Sequence, residues 1–247
     1  MINSVIRAIG ILYLFREHKR LSLAEIADLS GLHKTTAHGL VLTLLSEHFL
    51  EQNKRTRRYS LGATLFELGG LYRARLDAFG FCLPYMRELS QITGKTVQLA
   101  TLVDSDVVYL SRVVTKDFLG FSVADGVRRA AHCTSTGKAM LALLADADLD
   151  GIYPTDDLRA RTSHSIRTRE GLRENIRKIR EQKYAVDYQE AELGLCGMAI
   201  GFRADRPMAI SISCTADIMD SGQSRAYIEP LLELRCKIQE QFGAVSI

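Results

Sequence analysis

The stretch Ala24-Glu25-Ile26-Ala27, followed after three residues by Gly31-Leu32, then by Lys34-Thr35-Thr36-Ala37 and Leu40, constrains this chain more than any other. Ser22 and Glu25 stand three apart just ahead of an apolar run. That is the spacing of a capping box, in which the hydroxyl accepts the amide three residues on and the carboxylate accepts the cap amide. A short helix therefore starts at Ser22, with Leu23, Ile26, Ala27 and Leu29 as its apolar residues. Ala27 is small enough to let a second helix lie close, and Gly31 suits the left-handed backbone of a tight turn. The next helix is predicted over about 33–47, with Leu40, Val41, Leu44 and Leu45 inward and Lys34, Thr35, His38 and Thr43 outward. Two helices joined by a glycine turn, the second presenting polar side chains from its start, are suited to the major groove of DNA.

The flanks extend that reading. Ile2, Val5, Ile6, Ile9, Leu12 and Phe15 recur at helical steps, which predicts a first helix that buries one face. After the third helix, Phe49-Leu50-Glu51-Gln52 and Tyr59-Ser60-Leu61 read as two short strands. Between them lies the polar, basic tip Asn53-Lys54-Arg55-Thr56-Arg57-Arg58, so a hairpin is expected. Helix, helix, turn, helix and basic hairpin make a winged helix-turn-helix. Charge agrees: residues 1–62 carry nine Lys/Arg against five Asp/Glu, whereas the rest of the chain carries 23 against 24. The whole positive excess lies where a polyanion would be met. The candidate DNA contacts are Thr35, Thr36 and His38 for base edges and Lys34 for phosphate, with Ser22 and Thr43 beside them and Arg55, Arg57 and Arg58 from the wing.

Beyond residue 62 a linker helix is expected over 63–80, then a second domain over 81–247. Its pattern predicts helices over 83–92, 135–144, 169–182 and 227–242. Strands are predicted over 97–103, 107–114, 118–123, 198–202 and 208–214. Helices mixed with such strands imply an α+β domain on an antiparallel sheet. No run approaches the ~18 apolar residues of a membrane span, and the first residues show no secretory pattern, so a soluble cytoplasmic protein is expected. The five cysteines (Cys82, Cys133, Cys196, Cys214, Cys236) have neither disulfide-framework nor zinc spacing, and reduced thiols are expected. His132-Cys133 has no second ligand pair, and no nucleophile elbow or phosphate loop occurs, so neither metal nor cofactor is implied.

Taken together, these segments resemble the IclR-type bacterial transcriptional regulators over nearly the whole length. The resemblance rests on residues 23–27 and 34–38 and on Tyr59-Ser60-Leu61-Gly62. It continues through Thr93-Gly94-x-Thr96-Val97, Val108-Tyr109-Leu110 and His132-x-Thr134-x-x-Gly137-Lys138-Ala139, and ends with Tyr184-Ala185-Val186-Asp187 and Ile210-Ser211-Ile212-Ser213. It implies a GAF-like effector domain, a homodimer or homotetramer, a palindromic double-stranded operator and a small-molecule effector, frequently a carboxylic acid. It also implies effector contacts from the backbone at Ser135 and Thr136, a helix start suited to anions. Polar contacts are implied from Asp187, Ser211 and Ser213, and apolar walls from Phe118 and Phe121. The apolar walls favour an acid with an apolar or aromatic body.

Three positions depart from the family pattern. Cys196 sits one place before a common cysteine, leaving Gly197 at that position; both join the candidate pocket. Arg129 replaces an aliphatic residue and, if it faces inward, would pair with a carboxylate. Gly39 replaces a recognition-helix arginine. Two competing readings remain: a GAF-type cysteine redox enzyme using Cys133 or Cys196 with an appended winged helix, and a winged helix that binds protein rather than DNA.

Overall fold

The computed structural model describes residues 1–115 and 125–243. The chain divides into two compact units, Met1–Arg75 and Leu76–Ile247. The first unit contains α1 (Asn3–Leu14), α2 (Leu23–Ser30), α3 (Lys34–Ser46), the strands β1 (Leu50–Gln52) and β2 (Tyr59–Leu61), and α4 (Ala63–Ala74). The capping box of α2 is formed in full: Ser22 Oγ accepts the Glu25 amide at 3.3 Å and Glu25 Oε2 accepts the Ser22 amide at 2.7 Å. α2 ends at Gly31 with φ of +64°. β1 and β2 pair antiparallel, and Leu21 exchanges backbone hydrogen bonds with Tyr59, which ties the entry to α2 onto the wing. Ile11, Phe15, Leu21, Ile26, Val41, Leu44, Leu50 and Tyr59 form the core.

The apolar stripe of α1 behaves differently from its expectation. Ile11 and Phe15 are buried, but Ile2, Val5, Ile6 and Ile9 are exposed, Ile2 by 71%. The core takes the neighbouring face of the helix, and no element of this unit covers the stripe. On α4, Phe66 is 84% exposed, Leu68, Leu71 and Tyr72 are exposed as well, and no residue is buried.

The second unit begins with α5 (Asp77–Thr93), earlier than the expected 83. A six-stranded antiparallel sheet follows in the order β5-β4-β3-β8-β7-β6. Its strands are β3 (Thr96–Val103), β4 (Asp106–Val113), β5 (Arg128–Ala130), β6 (Ala185–Tyr188), β7 (Leu195–Arg203) and β8 (Pro207–Thr215). A 3-10 turn at Ala131–Cys133 leads into α6 (Ser135–Leu141), followed by α7 (Asp146–Ile152) and α8 (Arg169–Gln182). After the sheet come α9 (Ala216–Asp220), a 3-10 turn at Gln223–Tyr227 and α10 (Ile228–Phe242). The strand expected over 118–123 lies outside the described residues. β5 and β6 escape a periodicity search because three or four residues hold barely one alternation.

Strand alternation sorts the sheet into two faces. Val97, Leu99, Met198, Ile200, Ile210 and Ile212 pack against α5 and α10. Ala100, Tyr109, Ala199 and Ala209 face α6 and α8. On this second face the helix lies at backbone distance from the sheet: a Cβ on Gly201 would stand 2.3 Å from the Ala139 carbonyl oxygen. α6 is consequently buried along its whole length, including Lys138, which pairs with Glu190.

Candidate DNA-reading surface and effector cavity

Lys34, Thr35, Thr36, His38 and Thr43 are all exposed on α3, while Ala37, Val41 and Leu44 point into the core. The Thr35 hydroxyl lies 3.1 Å from His33 Nδ1, and Thr43 Oγ1 donates to the Gly39 carbonyl at 3.1 Å. Among the described residues Thr36 and His38 make no side-chain hydrogen bond, and both stand open to solvent at the helix start. At the wing tip, Asn53 Oδ1 accepts the amides of Arg55 and Thr56 at 3.0 and 2.9 Å, and Arg57 adopts a φ of +57°. This Asx-type turn holds Arg55 and Arg57 outward and exposed.

Arg58 and Ser22 are occupied within the unit. Arg58 Nη2 donates to Glu25 Oε1 at 3.0 Å and Nη1 donates to the Arg20 carbonyl at 3.1 Å. Bonds from the Ser22 amide and hydroxyl and from Arg58 hold the Glu25 carboxyl down to about 2. The Ser22 oxygen is committed to the helix cap. Arg58 ties the wing to the start of α2, and Ser22 caps that helix.

In the second unit, Arg129, Ser135, Thr136, Asp187, Cys196, Gly197, Ser211 and Ser213 border one cavity, with about 360 Å³ of empty space including its mouth. Phe118 and Phe121 lie outside the described residues. The sequence reading missed Gln98, Tyr109, Thr134, Ala191 and Leu195, which also border it. Gln98 had a signal: a long polar side chain directly between Val97 and Leu99 in a strand-like run.

The local geometry follows from chain direction and alternation. Ser211 and Ser213 share one face of β8, with Gln98 opposite Ser211 on β3, and Ser213 Oγ lies 3.0 Å from Gln98 Oε1. The Tyr109 hydroxyl lies 3.3 Å from Thr136 Oγ1. Thr134 caps α6 by accepting the Gly137 amide at 3.0 Å, which leaves the first two helical amides, Ser135 and Thr136, without intrahelical partners. A Cβ at Gly197 would come within 2.7 Å of Ser135 Oγ, so the glycine gives the serine its room. Ser211 is only 2% exposed, and its hydroxyl has no hydrogen-bond partner among the described residues. Arg129 forms no ion pair among the described residues, whereas its strand neighbour Arg128 reaches Asp106 at 3.4 Å. Cys196 alternates onto the other face with Met198 and Cys214, so only its main chain can contribute to the cavity.

Burial pushes the Asp187 carboxyl up to about 7, although its Oδ1 accepts the Glu190 amide at 2.8 Å. Burial likewise raises Cys196 to about 12 and Cys214 to about 11, and moves Cys133 upward. Redox nucleophiles need depressed thiol values. The setting of these thiols therefore lends no support to the cysteine-enzyme reading. Among the described residues no group of three His, Cys, Asp or Glu could hold a metal ion.

Residues 4–54 match the IclR helix-turn-helix domain, and residues 71–239 match the C-terminal domain of the bacterial transcriptional regulator IclR. The chain belongs to the IclR family. It is a DNA-binding transcriptional regulator with a C-terminal effector domain. Among IclR relatives, the HTH-type transcriptional regulator XynR of Escherichia coli K12 is 29% identical over 247 residues, 98% of each chain. The IclR transcriptional regulator of Alicyclobacillus acidocaldarius superposes with a TM-score of 0.85 at 24% identity, covering 99% of this chain and all of that one. An IclR homolog from Microbacterium hydrocarbonoxydans, solved with 4-hydroxybenzoate, gives 0.80 at 22% identity, covering 93% and 95%. Among the described residues no helix is long and apolar enough to cross a membrane.

Proposed function

We propose that this regulator reads a palindromic operator as a homodimer and is controlled by a small carboxylic acid held in the cavity between the sheet and α6. The observation that carries the effector reading is Ser211, a buried hydroxyl without a partner among the described residues, in a cavity bordered by eight of the residues named from sequence. Leaving such a group unpaired is costly, and a bound ligand removes the cost. Arg129 and the two open amides of α6 supply positive potential for a carboxylate. The relative solved with 4-hydroxybenzoate supports an acid as the class of ligand.

On the DNA side, Thr36 and His38 read bases and Lys34, Arg55 and Arg57 contact phosphate. The bare apolar surfaces of α1 and α4 are the dimer contact, because apolar patches of this kind mark interfaces. Two heads related by a twofold axis require two half-sites in inverted orientation. α4, between the heads and the effector units in sequence, acts as the linker, and the effector works by favouring one spacing of the heads.

A thermal-shift screen of small acids on the full chain, followed by calorimetry of each hit, tests the effector site. Ser211→Ala with Ser213→Ala should raise the dissociation constant about tenfold or more, as expected for the removal of two hydrogen bonds of roughly 1 kcal/mol each. Unchanged affinity would place the effector elsewhere.

A further inference from the structure

Two stripes run along α3 at matching steps of four and three residues. Ala37, Val41 and Leu44 are buried. Thr35, Gly39, Leu42 and Ser46 are all exposed. At about 100° per residue, the exposed stripe, set two residues earlier, lies about 200° round the helix from the buried one. It therefore faces directly away from the core, with Thr36 and His38 flanking it on either side. We infer that Leu42 reads the 5-methyl group of an operator thymine and that Gly39 lets α3 approach closely enough for that contact, which rests on the reading of this outward face as the base-reading surface.

Gly39 stands in the middle of the exposed stripe. Glycine inside a helix costs stability against alanine. Packing within the chain gives no reason for it: the backbone there is helical, and an added Cβ would meet no atom within 4 Å among the described residues. What the glycine provides is a notch in the surface that meets DNA. A helix with its side chains is about 10–12 Å across and the major groove about 12 Å wide, so a missing side chain at the centre of the face lets α3 seat deeper.

The side chains beyond the notch set what can be read there. Thr43 Oγ1 donates to the Gly39 carbonyl at 3.1 Å, and Ser46 Oγ donates to the Thr43 carbonyl at 2.9 Å. Between Gly39 and Ser46 the outward face thus has no uncommitted side-chain donor. Leu42, one turn past the notch, is 47% exposed and apolar. A lone exposed leucine is ordinary on a protein surface. This one lies on the outermost line of the recognition helix, where its short side chain needs the close approach that Gly39 permits. Among base edges in the major groove, the thymine 5-methyl group is the apolar partner; the other groups there are hydrogen-bond donors and acceptors.

The full-length protein first selects its site from a random-sequence duplex pool. Each thymine of that site is then replaced singly by deoxyuridine, which removes the 5-methyl group and leaves base pairing intact. One thymine should show a loss of affinity of about fourfold, the worth of a single buried methyl group. With Leu42→Ala that penalty should vanish while penalties at other thymines stay. Selection repeated with Leu42→Gln should change the consensus at that base pair and nowhere else. Gly39→Ala favours the helix, so it should melt no lower than the parent and still lose at least as much affinity for the selected site as the deoxyuridine substitution costs. A selected site without thymine, a site with no thymine sensitive to deoxyuridine, or a penalty that survives Leu42→Ala overturns the inference. Parental affinity in Gly39→Ala removes the notch from it. Thr36→Ala separates these failures from failure of the underlying reading: a loss confined to the selected site keeps the outward face of α3 on the bases, and parental affinity on that site does not.

Discussion

Asp187 combines a buried carboxyl with backbone hydrogen bonding, the Glu190 amide donating to Oδ1 at 2.8 Å. Its carboxyl titrates at about 7 in the folded protein against an ordinary value of 3.8, with burial as the main cause. Between those two values the folded state keeps a proton that the unfolded chain has released. Folding stability therefore falls as pH rises through the window, and the loss is complete above about 7. Asp187→Asn removes this titration and keeps an Oδ1 acceptor for Glu190. Melting temperatures at about pH 5 and about pH 8 should show the parent losing more stability than the variant over the interval. Parallel curves for the two proteins would mean that Asp187 is ionised throughout. Arg129 and Gly197 show the same dependence on surroundings: each departs from the family pattern, and each borders the cavity.

At the scale of elements, the wing holds its arginines in two different settings. Arg55 and Arg57 project from a turn held by Asn53, whereas Arg58 is bonded to Glu25 and to the Arg20 carbonyl. Arg55→Ala with Arg57→Ala should flatten the salt dependence of operator binding by about 0.9 in log–log slope for each phosphate that the wing ceases to neutralise. Arg58→Ala should leave that slope nearly unchanged. Its effect should be a small loss of stability, since the Arg58–Glu25 pair is open to solvent and screened by it. Gel-shift titrations over a series of salt concentrations, with melting curves alongside, distinguish the two. A slope that falls as far for Arg58→Ala as for the double variant would make Arg58 a phosphate ligand after all.

For the whole molecule, the largest unmet demand is the apolar surface of the first unit. Ile2, Val5, Ile6 and Ile9 on α1 and Phe66, Leu68 and Leu71 on α4 remain in solvent in the single chain. Such surface is normally covered by a partner. Ile6→Glu with Phe66→Glu should convert the assembly to smaller species in light scattering coupled to size exclusion. It should also weaken a two-half-site operator far more than a single half-site, because the second head then no longer benefits from tethering. A variant that keeps the parent's mass would assign the interface to another surface. An effector acts on this assembly only to the extent that it binds one arrangement of the heads better than the other.

The sequence by itself determined the parts of this regulator that local physics controls. The Ser22–Glu25 capping box, the left-handed turn at Gly31, the polar outer face of α3 and the basic hairpin all depend on residues a few positions apart. The helix over 169–182 was legible for the same reason, as a strongly amphipathic run capped by Thr168. Resemblance to the family added most of the cavity positions, and alternation placed Ser211 and Ser213 on one face. Tertiary structure alone decided what covers each face. Periodicity marked the α1 stripe as apolar, but it carries no information on whether the partner is the same chain or another. It could not reveal that α6 approaches β7 closely enough to require Gly201 and bury Lys138, or that Gln98 and Tyr109 turn into the cavity. Nor could it separate Arg58, bonded to Glu25 and the Arg20 carbonyl, from its exposed neighbour Arg57. Contacts between residues far apart along the chain are set by how layers stack, and a linear pattern does not encode that distance.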